Sequence, residues 1–563
     1  MIRLALILMA AFLAGCAAPA RDKVTAGLAP IPLRSWQALQ VELQDAPEPL
    51  RRAITQAGEA RLAPEPEPSG GPAALRESRE SRESLVDILT HTDRPELQPD
   101  AEFGFLYQVL IGEDRPEQSY ASALAAYLTQ RDFACSQPLY AGYFQRRYAT
   151  GQPVGRCRSE VPFSVAIRHH GSQIVWVDPA RVSSIHLLFA SKSDSMASLF
   201  GHVALRLVVC PQGKATAGQC DSNLNEHLVL GYRAHIDELS LKTMKALTGD
   251  YRAYLFANQF MDVYEDYAIG EFRDFYSVPL PLDAAQRELM VRELADIHWR
   301  FSDRYQFFTR NCATMLQQAL RVTWSAFSAS AKMADVFLRP DSLFAALRDS
   351  PLVEGAVLAS LEVAEREGFY FSNTRQFYDR ALQEVREARK KPEFSNLESY
   401  LAMDPVSRRA YRREDAVFLA RLGSDKHLRE AQIMLEEYAL LRSERVLMTE
   451  AGKYFEQQNF LARSDSIGAQ LDAEHARVFD DCLITPLRHL YSPPRSTDGI
   501  PQKFELPAGP GPGSLCESAQ SKRLMQEAIA GIKDAKSGQW QRLSDISVYW
   551  KESFVNLNLL KEM

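Results

Sequence analysis

The spacing of apolar and polar positions changes several times along the chain. Met1–Gly15 carries an unbroken apolar run, Leu4–Ala14, behind one positive charge at Arg3. That run is shorter than the ~20 residues needed to span a bilayer and fits the core of a secretory signal. Residues 16–84 lose apolar periodicity and turn to Ala, Pro, Glu and Arg, with Pro64-Glu65-Pro66-Glu67-Pro68 and a repeated Arg-Glu-Ser run over Arg76–Ser84. Such a composition predicts a solvated, flexible tether with transient helix. From 85 to 160 apolar residues recur every three to four positions, as in Ala121–Leu128, and predict a helical segment leading into a core.

Residues 161–335 switch to short aliphatic or β-branched runs: Val161–Ile167, Gln173–Val177, Ser184–Ala190, Val203–Val209 and His227–Tyr232. These read as strands. A helix follows over Leu282–Phe301, with apolar Leu289, Val291, Leu294 and Ile297, and another begins near Cys312. The stretch is one α+β unit. Residues 336–563 return to helical spacing over Leu382–Lys390, Asp415–Leu422, Leu428–Arg445 and Leu447–Leu461, with Glu and Arg able to pair at i, i+4. A Pro/Gly-rich break covers 492–514, and one or two final helices fall within 517–536 and 538–562.

Composition narrows the class. Of 563 residues, 46% are hydrophobic and 24% charged, and the mean hydropathy is −0.25. A polytopic membrane protein and a disordered chain are both excluded. The net charge of −7 argues against a binder of nucleic acid, which needs a basic face. Leu13-Ala14-Gly15-Cys16 resembles a bacterial lipobox. The resemblance implies a diacylglycerol on Cys16, cleavage before it and, with Ala17 next, sorting to the outer membrane. The lipid is then the anchor and the rest of the chain periplasmic, with residues 1–15 removed as the signal. The other reading is a plain signal peptide cut near Ala18 or Ala20.

Cysteine usage fits an oxidising compartment. Besides Cys16, local pairing gives Cys135–Cys157, Cys210–Cys220 and Cys482–Cys516, and leaves Cys312 over. The second pair closes a loop with Pro211, Gly213 and Gly218 that joins two strands as a hairpin. No Cys-x-x-Cys occurs, and His169-His170 have no further ligands at suitable spacing, so neither a metal nor a cofactor is implied.

The chemical candidates are His202 and Cys312. His202 follows Gly201 at the mouth of an apolar strand, after the small polar loop Ser191–Ser198. Cys312 follows Asn311 at a helix start, where N–H groups and the macrodipole favour a thiolate. A facing imidazole would take the thiol proton and return it to a leaving group. The bland readings are an inert buried cysteine and a hydrogen-bonded structural histidine.

Three blocks in one order resemble the Lnb N-terminal periplasmic domain family: Ser198-Leu199-Phe200-Gly201-His202 with Arg206, Glu271-Phe272-Arg273-Asp274-Phe275-Tyr276, and Tyr305-Gln306-Phe307-Phe308 with Asn311-Cys312. Cys135-Ser136-Gln137-Pro138-Leu139 is similar too, and the resemblance covers about residues 130–325. Gly-His before Asn-Cys is also similar to the lecithin:retinol acyltransferase group and other permuted papain-like, NlpC-type folds. What this implies is a permuted papain-like core with an antiparallel sheet and a helix-borne cysteine, flanked by helical N- and C-terminal regions. It also implies a cysteine acyltransferase that moves an acyl chain from a lipid to an amine, with phospholipid and lipoprotein as substrates. Lnb-type proteins carry transmembrane helices after this domain, whereas this chain has a helical region of mixed charge.

For a third member, a hairpin across the Cys210–Cys220 loop brings Arg233 or His235 beside His202. Asn311 holds the turn or helps an oxyanion. Arg273 and Asp274 suggest an internal ion pair. Two other classes remain: an NlpC-type peptidoglycan peptidase or amidase, and a non-catalytic envelope scaffold.

Overall fold

The computed structural model describes residues 31–32, 40, 43–44, 46, 48–59, 62–63, 85–90, 94–111, 116–148, 157–167, 171–193, 199–213, 216–236, 243–330, 339–389, 394–457, 460–469, 471–484, 495–496, 498–503 and 538–563. Cys16 and the leader, most of the tether, Cys516 and the helix expected within 517–536 lie outside the described residues. The chain divides into two units. The smaller holds the helix Glu48–Glu59, inside the stretch expected to be a tether. Leu50, Ala53 and Ile54 explain the difference: they share one face at helical spacing and are buried.

The larger unit is α+β and centres on a nine-stranded sheet. In chain order its strands are β1 (Val161–Ile167), β2 (Gly171–Val177), β3 (Val182–Ala190), β4 (His202–Val209), β5 (Leu228–His235), β6 (Tyr251–Gln259), β7 (Phe275–Pro279), β8 (Asp303–Tyr305) and β9 (Tyr370–Phe371). They lie in the order β9-β7-β3-β4-β5-β6-β1-β2, with β8 added on β6. All pairs are antiparallel except β1 with β6. The five strands read from the sequence are present. β6 to β9 are additional, and β9 carries the sheet beyond residue 335 by pairing with β7.

The helices that matter below are α1 (Thr243–Thr248), α2 (Ala284–Arg300), α3 (Cys312–Thr323), α4 (Arg375–Ala388), α5 (Pro405–Glu414), α6 (Lys426–Gln457) and α7 (Gly538–Lys561). Asp283 and Gln286 form a reciprocal capping box that starts α2. Its Val291, Leu294 and Ile297 are buried, but Leu289 points to solvent. At its far end Trp299 Nε1 donates to Pro162 O at 2.8 Å, and His298 Nδ1 donates to Leu255 O at 2.7 Å. His298 Nε2 accepts from Ser164 N at 3.0 Å, so the ring is held neutral between β1 and β6.

Two disulfides form as expected, Cys135–Cys157 and Cys210–Cys220. The second closes the β4–β5 connection, which also holds a short helix, Ala217–Ser222. Cys482 is disulfide-bonded as well. Cys312 is a free, buried thiol.

In the C-terminal region α6 runs unbroken for 32 residues, where the spacing suggested two helices. The proposed junction, Arg445-Val446-Leu447, contains neither Gly nor Pro to stop it. Leu382 and Val385 of α4, Leu428 and Leu435 of α6 and Leu560 of α7 share one apolar cluster. Across it Glu436 of α6, fully buried, accepts from Arg408 Nε and Nη2, Arg412 Nη1 and Tyr400 OH.

Candidate functional site

His202 is the first residue of β4, delivered by a turn that only glycine fits. Gly201 has φ +81°, and a Cβ there would lie 2.5 Å from the Phe189 ring and 2.6 Å from Ala190 O. Positive φ is strained for any other residue. Gly201→Ala is expected to lower unfolding stability by at least ~2 kcal/mol, visible as an earlier midpoint in urea; an unchanged midpoint would refute the close packing of this turn.

Opposite, the β4–β5 register pairs Leu205 with Leu230 and Arg206 with Val229. Continued, it brings Arg233 across from His202. His202 Nε2 faces Gly231, where a Cβ would sit 3.2 Å away. The imidazole is half-buried and borders a cleft of about 510 Å³, open mouth included. Leu188, Ala204, Val229 and Phe275 give this cleft an apolar floor; Arg233, Asn258, Asp266 and Tyr267 add polar groups. Enclosure first, then the charges of Arg273 and Arg233, push the His202 pKa down to about 3. His235 lies two residues beyond Arg233, with its ring 5.3 Å from Tyr254 and 6.2 Å from Phe256. Of the two residues expected beside His202, Arg233 supplies the charge that reaches it.

Cys312 is the first residue of α3 and is 4% exposed. Asn311 caps this helix: its Oδ1 accepts from Ala313 N and Thr314 N, its N donates to Thr314 Oγ1, and its Nδ2 donates to Phe307 O. The amide is thus committed to the turn rather than turned toward an oxyanion. Backbone N–H groups of Val203, Ala313 and Cys312 itself lie near enough to the sulfur to lower the thiol's pKa. Val203 adjoins His202, so the helix that carries the candidate thiol meets the strand that carries the candidate base. Among the described residues no hydrogen bond joins the imidazole to the sulfur. The three N–H groups and Arg273 favour thiolate, but burial outweighs them and pushes the thiol up to about 11. This reverses the expectation of an acidic thiol: the helix terminus contributes, and desolvation wins. At neutral pH native Cys312 should therefore react with iodoacetamide at least about a hundredfold more slowly than in the urea-unfolded chain. Equal rates would contradict it.

Arg273 links the two halves. It is buried, donates from Nη2 to Ala190 O at 3.0 Å and from Nε to Ser191 O, and lies 4.4 Å over the Tyr267 ring. Ala190 is the partner of His202 in the β3–β4 register. Arg273 therefore holds the strand end beside His202 while its charge acts on both His202 and Cys312. Its ion-pair partner is Glu271 at 3.2 Å. The expected pairing with Asp274 does not occur. Asp274 Oδ1 accepts instead from Asn373 N, Asn373 Nδ2 and Tyr370 OH, which fastens β9. Phe272, between Glu271 and Arg273, has φ +52°. Tyr267 sits with its ring centroid 6.2 Å from His202. Sequence reasoning missed it, and no spacing signal singles it out from neighbouring tyrosines.

Arg206 explains another motif position. It is buried, among the described residues makes no ion pair, and donates to Gly368 O, Ser277 Oγ and His227 Nδ1. His227 Nε2 in turn donates to Cys220 O. Burial and Arg206 hold His186 well below its ordinary value and His227 near 4. Burial likewise puts His298 near 4. These three and His202 are neutral in the fold but take up protons near pH 6.5 once unfolded. Their contribution is present above pH 6.5 and is lost as pH falls toward 4, up to about 1.4 kcal/mol per pH unit for each. Glu293, raised by burial to about 8, acts in the opposite sense: its contribution is full below 4.5 and is lost as pH rises through 8. Urea midpoints should fall between pH 6.5 and pH 4.5; a flat or rising profile would contradict the neutral histidines.

Among the described residues no group of His, Cys, Asp and Glu forms a metal site, and no helix is long and apolar enough to cross a membrane. No curated protein sequence and no solved structure matches the chain. Residues 174–372, from β2 to just past β9 and including His202, Arg273 and Cys312, match the family model described as the Lnb N-terminal periplasmic domain.

Proposed function

We propose that this protein is a periplasmic cysteine acyltransferase, anchored by a lipid on Cys16 to the inner leaflet of the outer membrane, whose nucleophile is Cys312 and whose proton carrier is His202. The observation that carries the reading is the sulfur's position: it sits at the start of α3, under three backbone N–H groups, one of them from the residue next to His202. The match to a periplasmic domain family supports the compartment.

Both groups are neutral at rest, so the sulfur loses its proton to His202 as it attacks the ester carbonyl of a lipid. A C–S bond forms, the ester C–O bond breaks, and the departing alkoxide takes the proton from the imidazolium. An amine then attacks the thioester. Its proton passes through His202 to the leaving sulfur, which regenerates the thiol and releases an amide. The N–H groups of Val203 and Ala313 stabilise the sulfur when it departs as thiolate. Arg273 is a positioning residue here, since it holds β3 and not the reacting atoms.

The test offers the full chain a phospholipid with a labelled acyl chain, together with a diacylated lipopeptide bearing a free α-amine. Label appearing in amide linkage on the lipopeptide is the expected result. Cleavage of muropeptides without acyl transfer would replace this reading by a peptidase, and neither activity would favour a scaffold.

A further inference from the structure

The loops that deliver His202 and Cys312 also carry large apolar side chains into solvent. Leu199 is 48% exposed two residues before Gly201, Phe308 is 42% exposed four residues before Cys312, and Met244 and Leu247 of α1 are 68% and 39% exposed. They form one surface. Phe307 joins the three segments: its ring is 6.1 Å from Phe200 and 5.2 Å from Phe308, and its N–H donates to Ala246 O of α1. Gln306 adds a bond to Thr248 O and fills the space over Gly249. Single exposed apolar residues are ordinary on any protein, but a set gathered on the segments that lead into His202 and Cys312 marks an interaction face.

Cations outnumber carboxylates on this face. Segments 199–201, 243–250 and 303–310, with Arg339 and its partner Asp341, contain Lys245, Arg304, Arg310 and Arg339 against Asp250, Asp303 and Asp341. Arg310 pairs with Asp303, and Arg339 pairs with Asp341 while lying 4.3 Å over Phe200. With Asp250 as the third carboxylate, one cation remains in excess among these residues, on a chain whose net charge is −7. Apolar and aromatic side chains ringed by Arg and Lys match the interface of an anionic bilayer, where rings and aliphatic chains enter the acyl boundary and cations meet phosphates.

We infer that Leu199, Met244, Leu247 and Phe308 dock the mouth of the site onto an anionic phospholipid bilayer, so that the acyl donor is taken from the membrane surface rather than from solution. The inference rests on the proposed acyl transfer for its purpose, while the docking itself is measurable apart from any chemistry.

The experiment uses the full mature chain carrying Cys16→Ser, so that no lipid on that residue contributes. Its flotation with vesicles of phosphatidylethanolamine and phosphatidylglycerol is compared with that of a variant also carrying Leu199→Asp, Met244→Asp and Phe308→Asp. A control carries Phe377→Asp and Val417→Asp, exposed apolar positions of the C-terminal helices. The expected results are binding by the parent and the control, at least tenfold weaker binding by the triple variant, and weaker parental binding as salt rises. All three substitutions replace exposed side chains, and an unchanged thermal midpoint confirms that the variant folds. In parallel, acylation of Cys312 is followed with a short-chain ester dissolved as monomers. Retained monomer acylation with lost vesicle binding supports the docking face. Absence of parental binding, or equal binding by the triple variant, overturns the docking while monomer acylation leaves the proposed chemistry standing. Vesicle binding lost in the variant, with no adduct from either donor, supports the docking and removes the chemistry instead. A parent dimer that the triple substitution dissolves, with no vesicle binding, overturns the inference in favour of a second copy of this chain.

Discussion

Cys312→Ser is expected to lower the proposed acyl transfer by at least about a thousandfold, because the hydroxyl is a far poorer nucleophile. His202→Ala should cost nearly as much, and the double variant should add little, since in the proposed mechanism the two share a single proton. The structure sharpens this beyond residue identity. Burial pushes the thiol up to about 11, so it stays protonated, and the imidazole down to about 3, so it stays neutral; no preformed thiolate sustains partial activity once the imidazole is gone. Full activity in Cys312→Ser, or multiplicative losses in the double variant, would show that the pair does not work together.

Glu436→Gln is expected to destabilise the C-terminal helices by about 3–5 kcal/mol, the range for a buried ion network that loses the one carboxylate it has among the described residues. Glu436 is completely buried and faces both Arg408 and Arg412, which are themselves buried. Arg408 also donates to Met403 O, Tyr549 OH and Ser553 Oγ, and Tyr549 donates to Leu401 O. One substitution thus leaves two guanidinium groups without a counter-charge where α5, α6 and α7 meet. The measurement is the urea midpoint followed by far-ultraviolet circular dichroism. A shift equivalent to less than about 1 kcal/mol would mean that water or neighbouring groups replace the carboxylate.

The sequence carried the central part of this architecture and less of its margins. Strands such as Val161–Ile167 and His202–Val209 are aliphatic along most of their length because both faces of the sheet are covered, and such runs are legible without partners. β6 is not: Tyr251-Arg252-Ala253-Tyr254 alternates buried and half-exposed positions, and its alanines and arginine dilute the signal. β8 and β9 are too short to carry a period at all. The α6 helix was split at Arg445-Val446-Leu447 by a fluctuation in spacing, where continuous backbone hydrogen bonding needs only the absence of a breaker.

At the site, residue types and order pointed to Gly201, His202, Asn311 and Cys312, and Val203 is where β4 meets the sulfur of α3. The ionisation of the pair was not legible, since a helix start suggests an acidic thiol and only the packed fold reveals how far burial opposes it. Arg273 stood in a recognisable block without a role. Its bonds to Ala190 and Ser191 depend on β3 and β7 lying side by side, which no local pattern encodes. Tyr267 reaches the site by the same kind of long-range placement.

The most direct test of the Cys312–His202 unit is mass spectrometry of the Cys312 peptide after the protein has met phospholipid vesicles and been quenched in acid. The account requires an acyl adduct on Cys312, labile to neutral hydroxylamine as a thioester must be, and absent from His202→Ala. An unmodified Cys312 peptide under conditions where the protein transfers acyl chains, or an equal adduct in His202→Ala, would contradict it.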